Sequence, residues 1–131
     1  MSALYLDSSA FVKVVVEEAE SAALRGFLAA SDARRVSSAL LRTEALRAVR
    51  HLGPEALANV REGLRRVELI AIDDRILDAA GMLEPRILRA LDAIHLATAL
   101  AIGDDLDAVV TYDERMVAAA GLIGVQAASP T

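Results

Sequence analysis

Four acidic residues, far apart in the chain, stand where a parallel α/β fold collects its chemistry. Ala3-Leu4-Tyr5-Leu6 is a short apolar run ending on Asp7, and such a run suits a buried strand. Ala108-Val109-Val110-Thr111 is another, with Asp113 two residues beyond it. Asp92 opens the apolar segment Leu91-Asp92-Ala93-Ile94-His95-Leu96-Ala97, and Glu44 lies inside a predicted helix that follows a further strand. Open parallel sheets bind ligands beyond the carboxyl ends of their strands, near the switch in strand order. The two strand-end aspartates belong there, and the other two carboxylates are placed to converge on them.

Singly, each residue has a plainer reading. An Asp after a strand is commonly a helix cap or turn residue. Asp92 alone suits the positive end of a helix dipole, and Glu44 alone suits a surface ion pair with Arg42 or Arg47. Jointly they pose an electrostatic problem. Two carboxylates about 4.5 Å apart repel by roughly 4 kcal/mol at an effective dielectric near 20. A cluster of four therefore takes up protons or binds a cation. Oxygen-only donors suit Mg²⁺ or Mn²⁺. Zinc is disfavoured, because the chain has no Cys and only two histidines, His51 and His95. A divalent ion held there would polarise a phosphate and activate water for phosphodiester hydrolysis.

The elements that must position these residues alternate in type. Predicted strands cover 3–6, 35–37, 67–72, 108–111 and 125–127. Predicted helices cover 10–16, 20–30, 38–52, 55–66, 73–83, 91–102 and 113–120. Ser8 or Ser9 is expected to cap the first helix, and the Val14-Val15-Val16 run argues against that helix, since β-branched residues favour strands. Gly53-Pro54 stops one helix and starts the next, and Gly121 is expected to close the last. This alternation predicts an α/β fold, a parallel sheet covered on both faces. With 131 residues and no linker or repeat, the expectation is a single domain over 1–131.

Composition removes several function classes. A 55% apolar and 25% charged balance is globular rather than disordered. Only 3% of residues are aromatic and none is Trp, which argues against base-stacking platforms. The net charge of −5 is not that of a simple basic nucleic-acid binder. It hides an asymmetry, however: residues 25–66 carry nine arginines against four acidic residues, between acidic flanks. Such a chain can hold a polyanion on one face and a metal on another. No apolar stretch approaches the roughly 20 residues of a membrane span. The start of the chain lacks a basic segment and reaches Asp7 early, so a cytoplasmic location is expected.

Four segments carry a family likeness. These are Leu4-Tyr5-Leu6-Asp7-Ser8-Ser9-Ala10, the Thr43-Glu44 pair, Leu91-Asp92-Ala93-Ile94-His95-Leu96-Ala97-Thr98-Ala99, and Val110-Thr111-Tyr112-Asp113-Glu114-Arg115-Met116. In order and spacing they resemble PIN-domain ribonucleases, and more narrowly the VapC toxins of bacterial toxin–antitoxin pairs. The resemblance implies a three-layer α/β/α sandwich around a parallel sheet and a Mg²⁺- or Mn²⁺-dependent endoribonuclease. Its acidic set would be Asp7, Glu44, Asp92 and Asp113, as metal-holding and catalytic residues. Thr111 would support the last Asp, and Ser8 would help order water beside the first. Hydrolysis would leave 5′-phosphate and 3′-hydroxyl ends on RNA. The resemblance further implies a homodimer and a hetero-oligomer with a cognate VapB-type antitoxin.

Other readings compete. His95, flanked by Ile94 and Leu96, reads first as a packing or hydrogen-bonding histidine, with a general-base role as the sharper alternative. Lys13 and Arg115 are either phosphate contacts or solvated surface. A response-regulator phosphotransfer domain needs a lysine after a late strand, and the only lysine is Lys13. A haloacid-dehalogenase-type phosphatase needs Asp-x-Asp where this chain has Asp7-Ser8-Ser9. A non-catalytic PIN-like module that docks a peptide or RNA in the same pocket is the alternative from a different class.

Overall fold

The computed structural model describes residues 1–131. Five strands form one sheet: β1 (Ala3–Leu6), β2 (Arg34–Ser38), β3 (Glu68–Ile70), β4 (Leu106–Val110) and β5 (Ala127–Ala128). Their order is β3-β2-β1-β4-β5, and every neighbouring pair is parallel. The connections hold α1 (Ser8–Val15), α2 (Ser21–Ala29), α3 (Leu40–Val49), α4 (Pro54–Leu64), α5 (Asp74–Gly81), α6 (Ala90–Ala101) and α7 (Glu114–Leu122).

The pleat of β1 divides the core. Alternate side chains point to opposite faces, so Ala3 and Tyr5 join one cluster and Leu4 and Leu6 another. The Tyr5 face is covered by Leu96 and Ala99 of α6 and by Met116, Ala119 and Ala120 of α7. The α5 helix locks onto α6 through Ile76, Ala80, Ala93 and Ala97. The Leu4 face is covered by Ala10 of α1 and by Leu24 and Leu28 of α2. Phe11 of α1 then packs among Leu41, Ala45 and Val49 of α3 and Val60 and Leu64 of α4. The result is the three-layer α/β/α sandwich, with β1 buried on both faces. That is why β1 reads as an unbroken apolar run.

Four local expectations are corrected. The cap of α1 is Asp7 itself, not Ser8 or Ser9: Asp7 is extended and its side chain accepts from the Ala10 N–H. The α1 helix, expected to reach Val16, stops at Val15, and Val16 is extended although Val14 and Val15 of the same β-branched run are helical. Gly121 does not end the last helix. The α7 helix runs through it to Leu122, and the reversal falls on Gly124, whose φ is +79°. The segment expected as one helix over 38–52 is α3 followed by a 3₁₀ turn, Arg50–Leu52. Gly53 with φ +99° then turns the chain, and Pro54 takes the first position of α4.

Helices α1 and α4 meet at a glycine. A Cβ on Gly63 would lie 2.7 Å from Val15 Cγ1 and 3.0 Å from Phe11 Cζ. Gly63→Ala therefore overpacks this contact, at about 1–3 kcal/mol, against at most about 1 kcal/mol gained in helix propensity. Gly26 in α2 has open space around its Cα. Thermal melts are expected to move in opposite directions, lower for Gly63→Ala and higher for Gly26→Ala. A raised melting temperature for Gly63→Ala would refute the close approach.

Candidate functional site

The register of β1 against β4 builds the first part of the site. Leu6 pairs with Val110, so the next residues, Asp7 and Thr111, are neighbours at the carboxyl end of the sheet. Asp7 is buried, at 4% exposure. Its Oδ1 accepts from the Ser9 hydroxyl at 2.7 Å and the Ala10 N–H at 3.1 Å. Its Oδ2 accepts from the Thr111 hydroxyl at 2.5 Å. Thr111 Oγ1 in turn accepts from the Asp113 N–H at 3.1 Å, and Ser9 Oγ accepts from the Tyr112 N–H at 2.9 Å. The chain after β4 is thereby stitched to the start of α1. Burial pushes the Asp7 carboxyl above the ordinary range. The bonds from Ser9, Thr111 and Ala10 and the nearby His95 pull the other way without reversing it.

Glu44 reaches the site from α3, which follows β2 after a single residue. Leu41, Ala45 and Val49 bury one side of that helix, and Glu44 sits at its edge. Its partner is neither Arg42 nor Arg47. His95 Nε2 lies 2.5 Å from Glu44 Oε1, and the Tyr5 hydroxyl lies 2.7 Å from His95 Nδ1. Burial pushes the Tyr5 phenol well above its ordinary range.

Asp92 occupies the first turn of α6. Arg89, the residue capping that helix, sets its Nε 3.2 Å from Asp92 Oδ2 and its Nη2 3.6 Å from Asp113 Oδ2. Asp113 also caps α7, its Oδ1 accepting from the Arg115 N–H at 2.9 Å. For Asp7 and Asp113, then, the capping role and membership of the site coincide.

Asp7, Glu44, Asp92 and Asp113 line one cavity of about 340 Å³, together with Ser8, Ser9, Arg89 and His95. They share the cavity without forming a tight cup: no three His, Asp or Glu side chains are grouped closely enough to hold a metal ion as oriented. The donor chemistry still fits a hard divalent ion. The site offers carboxylate and hydroxyl oxygens, and Mg²⁺ keeps several waters while taking only one or two carboxylates. Thr111 serves both aspartates, through its hydroxyl to Asp7 and the Asp113 N–H to that same oxygen. Ser8 lines the cavity, but the serine bonded to Asp7 is Ser9. Arg89 and Ser9 were not singled out from the sequence as site residues. Their only sequence signals are the three-residue step from Arg89 to Asp92 and the two-residue step from Asp7 to Ser9.

The PIN domain family matches residues 4–122. The chain is 49% identical to Ribonuclease VapC46 of Mycobacterium tuberculosis (strain ATCC 25618 / H37Rv) over 131 residues, all of both chains. It is 40% identical to Ribonuclease VapC35 of the same strain over 130 residues, 97% of this chain and 96% of that one. Among solved structures, a toxin-antitoxin complex from Klebsiella pneumoniae shares the fold. Its TM-score is 0.75 at 21% identity, over 99% of this chain and 98% of that one.

Asp7→Asn keeps an oxygen for Ser9 and Ala10 and turns an N–H toward Thr111, so it is expected to fold. The folded-state pKa of Asp7 lies above its unfolded value. Ionised Asp7 therefore lowers stability as pH rises through the folded pKa, and the penalty vanishes below the unfolded value near ~3.9. In EDTA at pH 8 the variant is expected to melt a few degrees above the wild type, with the gap closing on acidification. Equal melting points across the pH range would contradict the assigned cost of burying this carboxylate.

Proposed function

The chain belongs to the PIN-domain family, within its VapC group, and we propose that it is a metal-dependent endoribonuclease, the toxin of a toxin–antitoxin pair. The observation that carries this reading is the convergence of Asp7, Glu44, Asp92 and Asp113 on one cavity at the carboxyl end of the sheet. Its near-complete identity in length with VapC ribonucleases supports the same reading. One domain spans residues 1–131, since the sheet draws β1 from one end of the chain and β5 from the other.

Asp7, Asp92, Asp113 and Glu44 would hold Mg²⁺ or Mn²⁺, some of them through water. When bound, the ion supplies Lewis acidity toward a phosphate oxygen and lowers the pKa of water. The chain's own residues do the rest. Thr111 and Ser9 hold the Asp7 carboxylate in one orientation. Glu44 accepts a proton from the attacking water or orients it. Ser8, on the cavity wall, helps order water. Arg89, at the mouth and 62% exposed along its side chain, is free to turn from Asp92 and Asp113 toward a substrate phosphate. Arg42 and Arg47 lie exposed on α3, the helix that carries Glu44, with Arg50 exposed on the turn after it, and they supply backbone-phosphate contacts. Hydrolysis by water leaves 5′-phosphate and 3′-hydroxyl ends and does not need the RNA 2′-hydroxyl.

The partner is a VapB-type antitoxin, in a hetero-oligomer with a toxin homodimer. No helix is long and apolar enough to cross a membrane, and an RNA substrate places the activity in the cytoplasm.

The test is incubation of a mixed RNA pool with the protein in Mn²⁺, with EDTA as control, and analysis of the ends produced. Cleavage is expected only with the ion, leaving 5′-phosphates. Asp92→Asn and Glu44→Gln are each expected to reduce the rate by about a hundredfold or more. Cyclic 2′,3′-phosphate ends, or wild-type rates in both variants, would overturn the mechanism. RNA that binds but stays intact in Mn²⁺ would favour a non-catalytic docking module.

A further inference from the structure

Glu44 extends from α3 on a side chain with three rotatable torsions, yet one of its oxygens is tied down from the core. Oε1 meets Nε2 of His95 at 2.5 Å, and His95 is 1% exposed. The far nitrogen of the ring, Nδ1, lies 2.7 Å from the Tyr5 hydroxyl, and the two rings meet edge to face at 73°. Glu44 Oε2 makes no hydrogen bond within the chain and is the oxygen left to the cavity. The three residues come from α3, α6 and β1, so the chain of bonds crosses from the site into the sheet.

We propose that His95 and Tyr5 are positioning residues that pin Oε1 of Glu44 and so present Oε2 alone to the cavity. This rests on the reading of Glu44 as an ion ligand or proton acceptor. The proton inventory assigns each role. An ionised carboxylate only accepts, so Nε2 carries the ring proton. In a neutral ring Nδ1 then accepts, and Tyr5 donates to it. The nearby hydroxyls cannot replace that donor. Ser37 gives its proton to the Leu6 carbonyl at 2.6 Å, and Thr98 gives its own to the Ile94 carbonyl at 2.6 Å. A histidine present only to fill space would need neither bond, and its ring nitrogens would have no reason to meet a carboxylate and a phenol at once. Outer partners of this kind fix the orientation of ligating groups and tune their affinity.

The experiment is a Mn²⁺ titration of the full chain, read by the paramagnetic resonance signal of free ion. It compares wild type, His95→Leu, His95→Gln and Tyr5→Phe, each checked for native circular dichroism. His95→Leu is expected to bind Mn²⁺ about ten- to a hundredfold more weakly. His95→Gln, whose amide N–H stands near the place of Nε2–H, is expected to recover most of that loss. Tyr5→Phe is expected to lose severalfold, because Nδ1 has no donor and the ring proton is no longer confined to Nε2. A folded His95→Leu that binds as tightly as wild type overturns the proposal. If wild type binds no Mn²⁺, the metal reading fails, and ring ¹⁵N resonances of the ion-free protein decide the role of His95. A proton on Nε2 whose signal shifts in Glu44→Gln supports it; a proton on Nδ1, or no response to Glu44→Gln, overturns it. The same spectra and the Gln and Phe variants decide the matter if His95→Leu does not fold.

Discussion

Carboxylates gathered around one cavity at the end of a sheet repel one another, and in this chain each is met by a partner. Asp7 is held by two hydroxyls and a backbone N–H, Glu44 by a buried imidazole, and Asp92 and Asp113 by one guanidinium. The partners are graded from the inside outward. The Asp7 carboxyl and the His95 ring are buried, whereas Arg89 at the rim is largely solvated. Bonds to charged groups are the stronger kind, and a low local dielectric makes an unmet partner costly. The arrangement around Asp7 and Glu44 is thus the part of the site that the fold must satisfy before anything is bound.

The strand order explains how such distant residues meet. With β1 at the centre, the chain passes first to one side, to β2 and β3, and then crosses to β4 and β5. The carboxyl end of β1 therefore faces the switch in direction, the place where open α/β sheets leave a crevice. Asp7 leaves β1 there, Asp113 leaves β4 beside it, and α3 and α6 deliver Glu44 and Asp92 from opposite layers. Membership of the PIN-domain family accords with this topology, and the toxin–antitoxin structure from Klebsiella pneumoniae shows the same fold at low identity.

Much of this was legible before any coordinates. The alternation of apolar runs and amphipathic segments gave the layers, because β1 and β4 are buried on both faces and α6 is apolar nearly all round. The position of Asp7 and Asp113 was legible from strand ends and that of Asp92 from a helix opening, whereas Glu44 lies inside α3 and had only the preceding strand to point to it. What stayed hidden depended on partners remote in sequence. The bond from His95 to Glu44 spans 51 positions and that from Tyr5 to His95 spans 90, so no local pattern marks them. Ser8 and Ser9 read as caps of α1, but Asp7 both caps it and lines the cavity, since the extended backbone at the strand end is also the backbone a capping residue adopts. The course of α7 through Gly121 is tertiary in origin: Ala119 and Ala120 are buried against the sheet and outweigh the glycine's weak preference.

The eight residues of α1, about 12 Å of helix, join two tightly determined points. One end is nailed to the Asp7 carboxylate by the cap at Ala10. Near the other, Val15 lies where Gly63 leaves no room for another carbon. Gly63 also faces Phe11, so the middle and the far end of this short rod both rest on α4. The helix whose first turn grips the acid is therefore seated by a crossing that contains no charged group.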